Sequence, residues 1–253
     1  MRKGRRQSVV KGVAESVACP VAREILACRR SAVGSCWRNG AIAVLLAALA
    51  ALIPVADSNA QQVLFDKSWK EQGFPRLKKN TYRLNGDSVE ILSDDAISIL
   101  FRRLPESFWN GRKASWQWTV RQGVAPTNLK ARGGEDRNVS IYFLFLPREI
   151  AERLRNRSMA RIFDNKHRRM IQYMHGGAHD PGERFYSPYG GKSGLNVVLR
   201  TSLGTHREEV DLESDYVAAF GFQPEVLIGI GLSADSDDTD GMVRATVSEF
   251  HIH

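Results

Sequence analysis

Seven residues, Ser115 to Arg121 (SWQWTVR), alternate strictly: Trp116, Trp118 and Val120 fall on one face and Ser115, Gln117, Thr119 and Arg121 on the other. A period of two is the mark of a half-buried strand. Further along, Val139 to Leu146 (VSIYFLFL) is apolar on both faces for most of its length, which suits a central strand covered on both sides. A helix, with its period of 3.6, satisfies neither pattern. The chain is therefore expected to be mainly β.

The same signal recurs at short intervals. Thr81 to Leu84, Ser88 to Leu92, Ile97 to Arg103, Met170 to Met174, Leu195 to Thr201, Val226 to Ser233 and Val243 to Ile252 all read as strands, with Gly, Asn and Asp at the joins. This spacing predicts an antiparallel sandwich rather than repeated strand-helix-strand units. One or two short helices interrupt it. After Pro147, Ile150, Leu154, Ile162 and Phe163 give an apolar stripe among Arg and Glu. A second helix is expected with Ser214 as its cap, Tyr216, Val217 and Phe220 facing inward, and Gly221 ending it in the left-handed conformation.

Upstream of all this, Ala41 to Ala56 carries no charge over 16 residues. Arg29, Arg30 and Arg38 precede it, and Ser58 and Ala60 place small residues three positions and one position before Gln61. Basic region, apolar region and small-residue cleavage site follow the order of a secretory signal peptide. A membrane span needs about 20 apolar residues, and Pro54 breaks this shorter run, so cleavage is expected and no stable span afterwards. Residues 1 to 60 are thus read as a signal peptide with an over-long basic N-terminal extension, and 61 to 253 as a single β-sandwich domain in the periplasm or outside the cell.

Charge and cysteine content agree with that division. All three cysteines, Cys19, Cys28 and Cys36, precede the cut. The 193 residues that follow are enough to bury a core without disulfides. The net charge of +8 belongs mostly to the targeting segment, because 27 of the 36 Lys and Arg but 25 of the 28 Asp and Glu lie after Ala60. Nucleic acid is therefore not an expected partner. The basic stretch from Arg148 to Arg169 reads as a solvated helix face.

Several stretches together resemble a known family: SWQWTV (115 to 120), EDRNVSIYFLF (135 to 145), IQYMHGG (171 to 177), LNVVLRT (195 to 201), EEVDLESDYVAAFG (208 to 221) and IGIGLSADSDDTDGMVRATVSEFHI (228 to 252). In this order they resemble the bacterial exported family called domain of unknown function three-zero-four-seven. The resemblance implies an exported, jelly-roll-like β-sandwich, similar in outline to domains that bind carbohydrates, with no established activity. It supplies no catalytic residue.

The residues themselves offer several constellations. With Trp116 and Trp118 assigned to the core, the opposite face of that strand, Gln117 and Arg121, joined by Asp136, Arg137 and Tyr142, is the expected ligand surface. The turn holding Asp235, Asp237, Asp238 and Asp240 crowds four carboxylates. It is either a solvated hairpin turn or a seat for Ca²⁺, which takes six to eight oxygen ligands. His175 with His179, and His251 with His253, are possible metal ligands. No nucleophile elbow, phosphate-binding loop or dinucleotide fingerprint is present. The expected function is non-enzymatic binding of a saccharide or other envelope component. The alternative is a hydrolase of envelope polysaccharide that works through acidic residues or a His-bound metal.

Overall fold

A computed structural model describes residues 60–253. The apolar run Ala41 to Ala56, its flanking arginines and the three cysteines lie outside the described residues. Among the described residues thirteen strands form two sheets. They are β1 (Gln61–Gln62), β2 (Lys70–Gly73), β3 (Thr81–Leu84), β4 (Ser88–Asp94), β5 (Ile97–Arg103), β6 (Lys113–Gln122), β7 (Arg137–Leu146), β8 (Arg169–His175), β9 (Arg184–Ser187), β10 (Gly191–Arg200), β11 (Gly204–Asp211), β12 (Val226–Asp235) and β13 (Met242–Ile252). Among the described residues three short α-helices accompany them: α1 (Arg148–Leu154), α2 (Met159–Phe163) and α3 (Leu212–Phe220).

The six-stranded sheet runs β11-β6-β13-β4-β3 with β1 paired to β13, and the seven-stranded sheet runs β2-β5-β12-β7-β8-β10-β9. All pairings are antiparallel except β8 with β10. The architecture is the antiparallel-rich sandwich expected from the strand pattern, with the jelly-roll-like outline that the family resemblance implies.

Period-two alternation explains the core. Trp116, Trp118 and Val120 of β6 point between the sheets and are almost wholly buried, and they meet Phe143, Tyr173 and Phe250. The rings of Trp116 and Phe250 stack with centroids 5.9 Å apart. Every residue of β7 is buried. Val139, Ile141, Phe143 and Phe145 face the other sheet. Leu144 and Leu146 face outward, under Ala151 of α1 and Met159 and Ile162 of α2. The helices therefore cover one part of this sheet's outer face.

Four strands carry no clear apolar signal: β1, β2, β9 and β11. They are short, charged or at sheet edges, where solvation suits unpaired backbone. The stripe expected as one helix is two, α1 and α2, separated by Arg155–Ser158. The cap of α3 is Asp211 rather than Ser214. The Asp211 backbone is extended, and its carboxylate accepts the Ser214 N–H at 2.8 Å. Gly221 closes the helix at φ +80°. The aspartate-rich turn is no hairpin, because β12 and β13 belong to different sheets, and the turn carries the chain from one sheet to the other.

Candidate functional site

Beside the helices, the outer face of the seven-stranded sheet holds a cleft of about 500 Å³. It extends from Ile97 and Ile99 on β5, across β12, β7 and β8, to Asn196 on β10. Four inter-strand steps make this about 19 Å. Phe74 and Leu77 from the β2–β3 loop and Pro188 and Tyr189 from the β9–β10 turn also line it. Phe74 and Tyr189 are exposed, Tyr189 at 61 %.

Outward positions of four central strands are polar here: Ser233, Ser140, Tyr142, Gln172 and Asn196. Most of them join one network centred on Arg137, at the start of β7. Arg137 donates from Nη1 to Asp235 Oδ2 at 2.7 Å, from Nε to Ser140 Oγ at 2.6 Å and from Nη2 to Tyr142 Oη at 2.8 Å. Tyr142 Oη and Ser233 Oγ lie 2.9 Å apart, and Gln172 Nε2 donates to Ser140 Oγ at 2.9 Å.

At the same end, one ligand atom each from Asp136, Asp235 and Asp237 lies within 4.8 Å of the others. Asp136, fully buried, binds the turn. Its Oδ2 accepts from the Thr239 N–H at 2.8 Å and the Thr239 hydroxyl at 2.5 Å, and its Oδ1 from the Asp238 N–H at 3.3 Å. Burial pushes the Asp235 carboxyl up to about 8, against the opposing pull of Arg137 and with help from Asp237 and Asp136. Burial wins over the ion pair because Asp235 is only 3 % exposed and two carboxylates stand nearby. One buried acceptor of this cleft, Asn196 Oδ1, has no hydrogen-bond partner, whereas Asp235, bound by Arg137 through Oδ2, shares its proton with Asp237.

The structure divides the expected ligand set. Arg137 and Tyr142 line the cleft, and Asp136 braces its end. Gln117 and Arg121 do not join them. They lie on β6 in the other sheet, on its outward face, and Arg121 donates to Thr246 there at 3.1 Å. One strand's alternation gives its two faces but not which sheet it enters. Of the four turn carboxylates, Asp235 and Asp237 converge with Asp136, Asp238 lines the cleft, and Asp240 is exposed at φ +50° outside the group.

The histidines go elsewhere. His175 is buried between Asn138 Nδ2 at 3.2 Å and the Ser202 carbonyl at 3.0 Å, and burial pulls it down to about 4. His179 accepts from the Leu129 N–H and contacts Glu183, both at 3.0 Å. No histidine belongs to a metal-capable group among the described residues. Sequence reasoning missed Glu135, Gln172, Asn196, Ser233 and Tyr189. The available signal was a polar residue at an outward position of an otherwise apolar strand: Ser140 in VSIYF, Gln172 in MIQYM, Asn196 in LNVVL and Ser233 in GLSA.

Fold and site together define a jelly-roll-like β-sandwich with a cleft across one sheet, in which polar side chains of the central strands are set among an apolar lining. The chain belongs to the family described as protein of unknown function DUF3047, whose model matches residues 67–251. No curated protein matches it. Among solved structures, it is similar to the xyloglucanase domain of a type three effector from Sinorhizobium fredii, with 10 % identity and TM-score 0.42 over 73 % of this chain and 92 % of that one. It is also similar to a family 12 xyloglucanase from Bacillus licheniformis, with 9 % identity and TM-score 0.40 over 77 % and 99 %. A third is a family 29 carbohydrate-binding module from Piromyces equi, with 8 % identity and TM-score 0.33 over 76 % and 89 %. No described helix is long and apolar enough to cross a membrane.

Proposed function

We propose that this chain is an exported, non-enzymatic saccharide-binding domain whose ligand lies in the cleft across the seven-stranded sheet. The unpartnered buried acceptor Asn196 Oδ1 carries this reading. An unpaired buried acceptor costs about 1–3 kcal/mol, and a ligand rich in hydroxyl donors recovers that energy. Phe74 and Tyr189 add exposed aromatic surface for the apolar faces of sugar rings. The signal-like N-terminus supports a periplasmic or secreted setting and a mature start near Gln61, which mass spectrometry of protein from its native host checks.

The test is calorimetric titration of the purified protein with a panel of neutral and amino oligosaccharides. Binding to at least one, weakened about tenfold by Tyr189→Ala, is the expected result. No heat with any of them, together with unchanged amide resonances at Gln172 and Asn196, overturns the reading.

A second reading, hydrolysis, is favoured by one observation. The raised Asp235 carboxyl keeps a proton at neutral pH, as a general acid requires, and Glu135 supplies another carboxylate to the same cleft. New reducing ends that vanish in Asp235→Asn would establish it.

A further inference from the structure

The cleft joins two chemically different surfaces. Tyr142, Gln172 and Asn196, in register on neighbouring strands, form a polar floor. Gln172 is engaged by Ser140 and Tyr142 by Arg137, whereas Asn196, only 2 % exposed, keeps its Oδ1 without a partner. At β5, the far extreme, the lining turns apolar. Ile97 and Ile99 are only half-buried there. Leu77, 43 % exposed, stands beside them, since the Ile97 N–H donates to the Lys78 carbonyl at 3.0 Å. Phe163 of α2 and Met170 of β8, also half-buried, continue the apolar surface along the helix side.

The two surfaces require different things of a ligand. Asn196 Oδ1 lacks a donor, and a sugar hydroxyl supplies one. The side chains of Leu77, Ile97 and Ile99 offer no hydrogen bond, so a hydroxyl-rich ring laid on them would give up water and regain nothing. A hydrocarbon chain gains there by leaving water. About 19 Å separates β5 from β10, so head and chain can occupy separate ends of one cleft. Such a division, a mostly apolar lining with a few placed polar groups, is usual for small-molecule sites. We propose that the ligand is an amphipathic glycoside whose sugar head hydrogen-bonds Asn196 and whose alkyl or acyl chain lies on Leu77, Ile97 and Ile99. This rests on the saccharide reading and deepens it.

Calorimetry on the purified protein compares octyl glucoside with methyl glucoside and with octyl tetraethylene glycol, which has the chain but no sugar ring, all below micelle formation. Each methylene removed from water contributes about fourfold, so octyl glucoside is expected to bind at least about tenfold more tightly than either of the others. Leu77→Asp, at an exposed loop position, is expected to erase the advantage over methyl glucoside. The Ile97 and Ile99 methyl resonances are expected to shift with octyl but not with methyl glucoside. The ligand comparison needs no variant, so it decides even where a variant folds poorly. Sedimentation with phosphatidylcholine vesicles carrying a long-chain alkyl glucoside tells a membrane source of the ligand from a soluble one. Equal binding of octyl and methyl glucoside overturns the chain seat and leaves the saccharide reading standing. Octyl tetraethylene glycol bound as tightly as octyl glucoside overturns both, because the sugar then contributes nothing. No binding of any of the three removes the chain seat, and the response to the oligosaccharide panel then separates its failure from that of the saccharide reading.

Discussion

Arg137 Nη1 lies 2.7 Å from Asp235 Oδ2 with both side chains more than nine-tenths buried, joining the first residue of β7 to the last of β12. This pair anchors the polar floor of the cleft. Removing Asp235 takes a buried carboxyl acceptor from the Arg137 guanidinium, so Asp235→Ala is expected to cost about 3–5 kcal/mol. Arg137→Met combined with Asp235→Leu is expected to cost clearly less, since both desolvation penalties then vanish. Chemical denaturation of the three proteins checks the order, and equal losses would show that the pair is not what stabilises this junction.

Asp235 also predicts a pH dependence. Its folded-state value of about 8 stands above the ordinary carboxyl value of 3.8, so the folded state holds a proton that the unfolded state releases. Its contribution is fully present below about pH 4 and is lost as pH rises towards about 8, with a slope of at most about 1.4 kcal/mol per pH unit. Asp235→Asn should flatten that part of the stability profile. Thermal midpoints of wild type and variant from pH 4 to 9 measure it, and parallel profiles would count against a retained proton.

The two faces of β6 are expected to respond differently. Trp118 is fully buried, and its Nε1 donates to Glu208 Oε1 at 3.0 Å, where Arg200 also binds that carboxylate. Trp118→Ala should cost about 3–5 kcal/mol. Gln117→Ala should stay within about 0.5 kcal/mol and leave glycan affinity unchanged, because it lies on the sheet opposite the cleft. A Gln117 variant that folds normally but loses ligand would move the site to the other sheet.

Phe74 and Tyr189 are exposed at the cleft rims, where the Tyr189 hydroxyl donates to Glu135 and Arg132 lies over its ring. Phe74→Ala and Tyr189→Ala should change stability by less than about 0.5 kcal/mol and weaken ligand binding by more than about 1 kcal/mol each. Paired denaturation and titration experiments separate the two effects, and a purely stabilising role would reverse them.

By itself, the sequence determined the class of fold and most of its strands. Thr81–Leu84 and Ile97–Arg103 appear with the boundaries read from the sequence, and Trp116 and Trp118 are core. These features depend on local periodicity, which burial on one or both faces writes directly into residue order. Edge strands such as β11 escaped because backbone pairing, rather than an apolar face, defines them.

Only the tertiary structure decided the site, and the reason is physical. Strand order places Ser140, Gln172, Asn196 and Ser233, distant in sequence, at neighbouring outward positions, and no local pattern encodes that order. Likewise Gln117 and Arg137 both sit on polar positions of strands, yet sheet membership sends them to opposite sides of the sandwich. The acidic turn was legible as a cluster of charge. Its division into a turn-binding Asp136, an ion-paired Asp235 and a free Asp240 arose only when the chain crossed from one sheet to the other and excluded water from part of it.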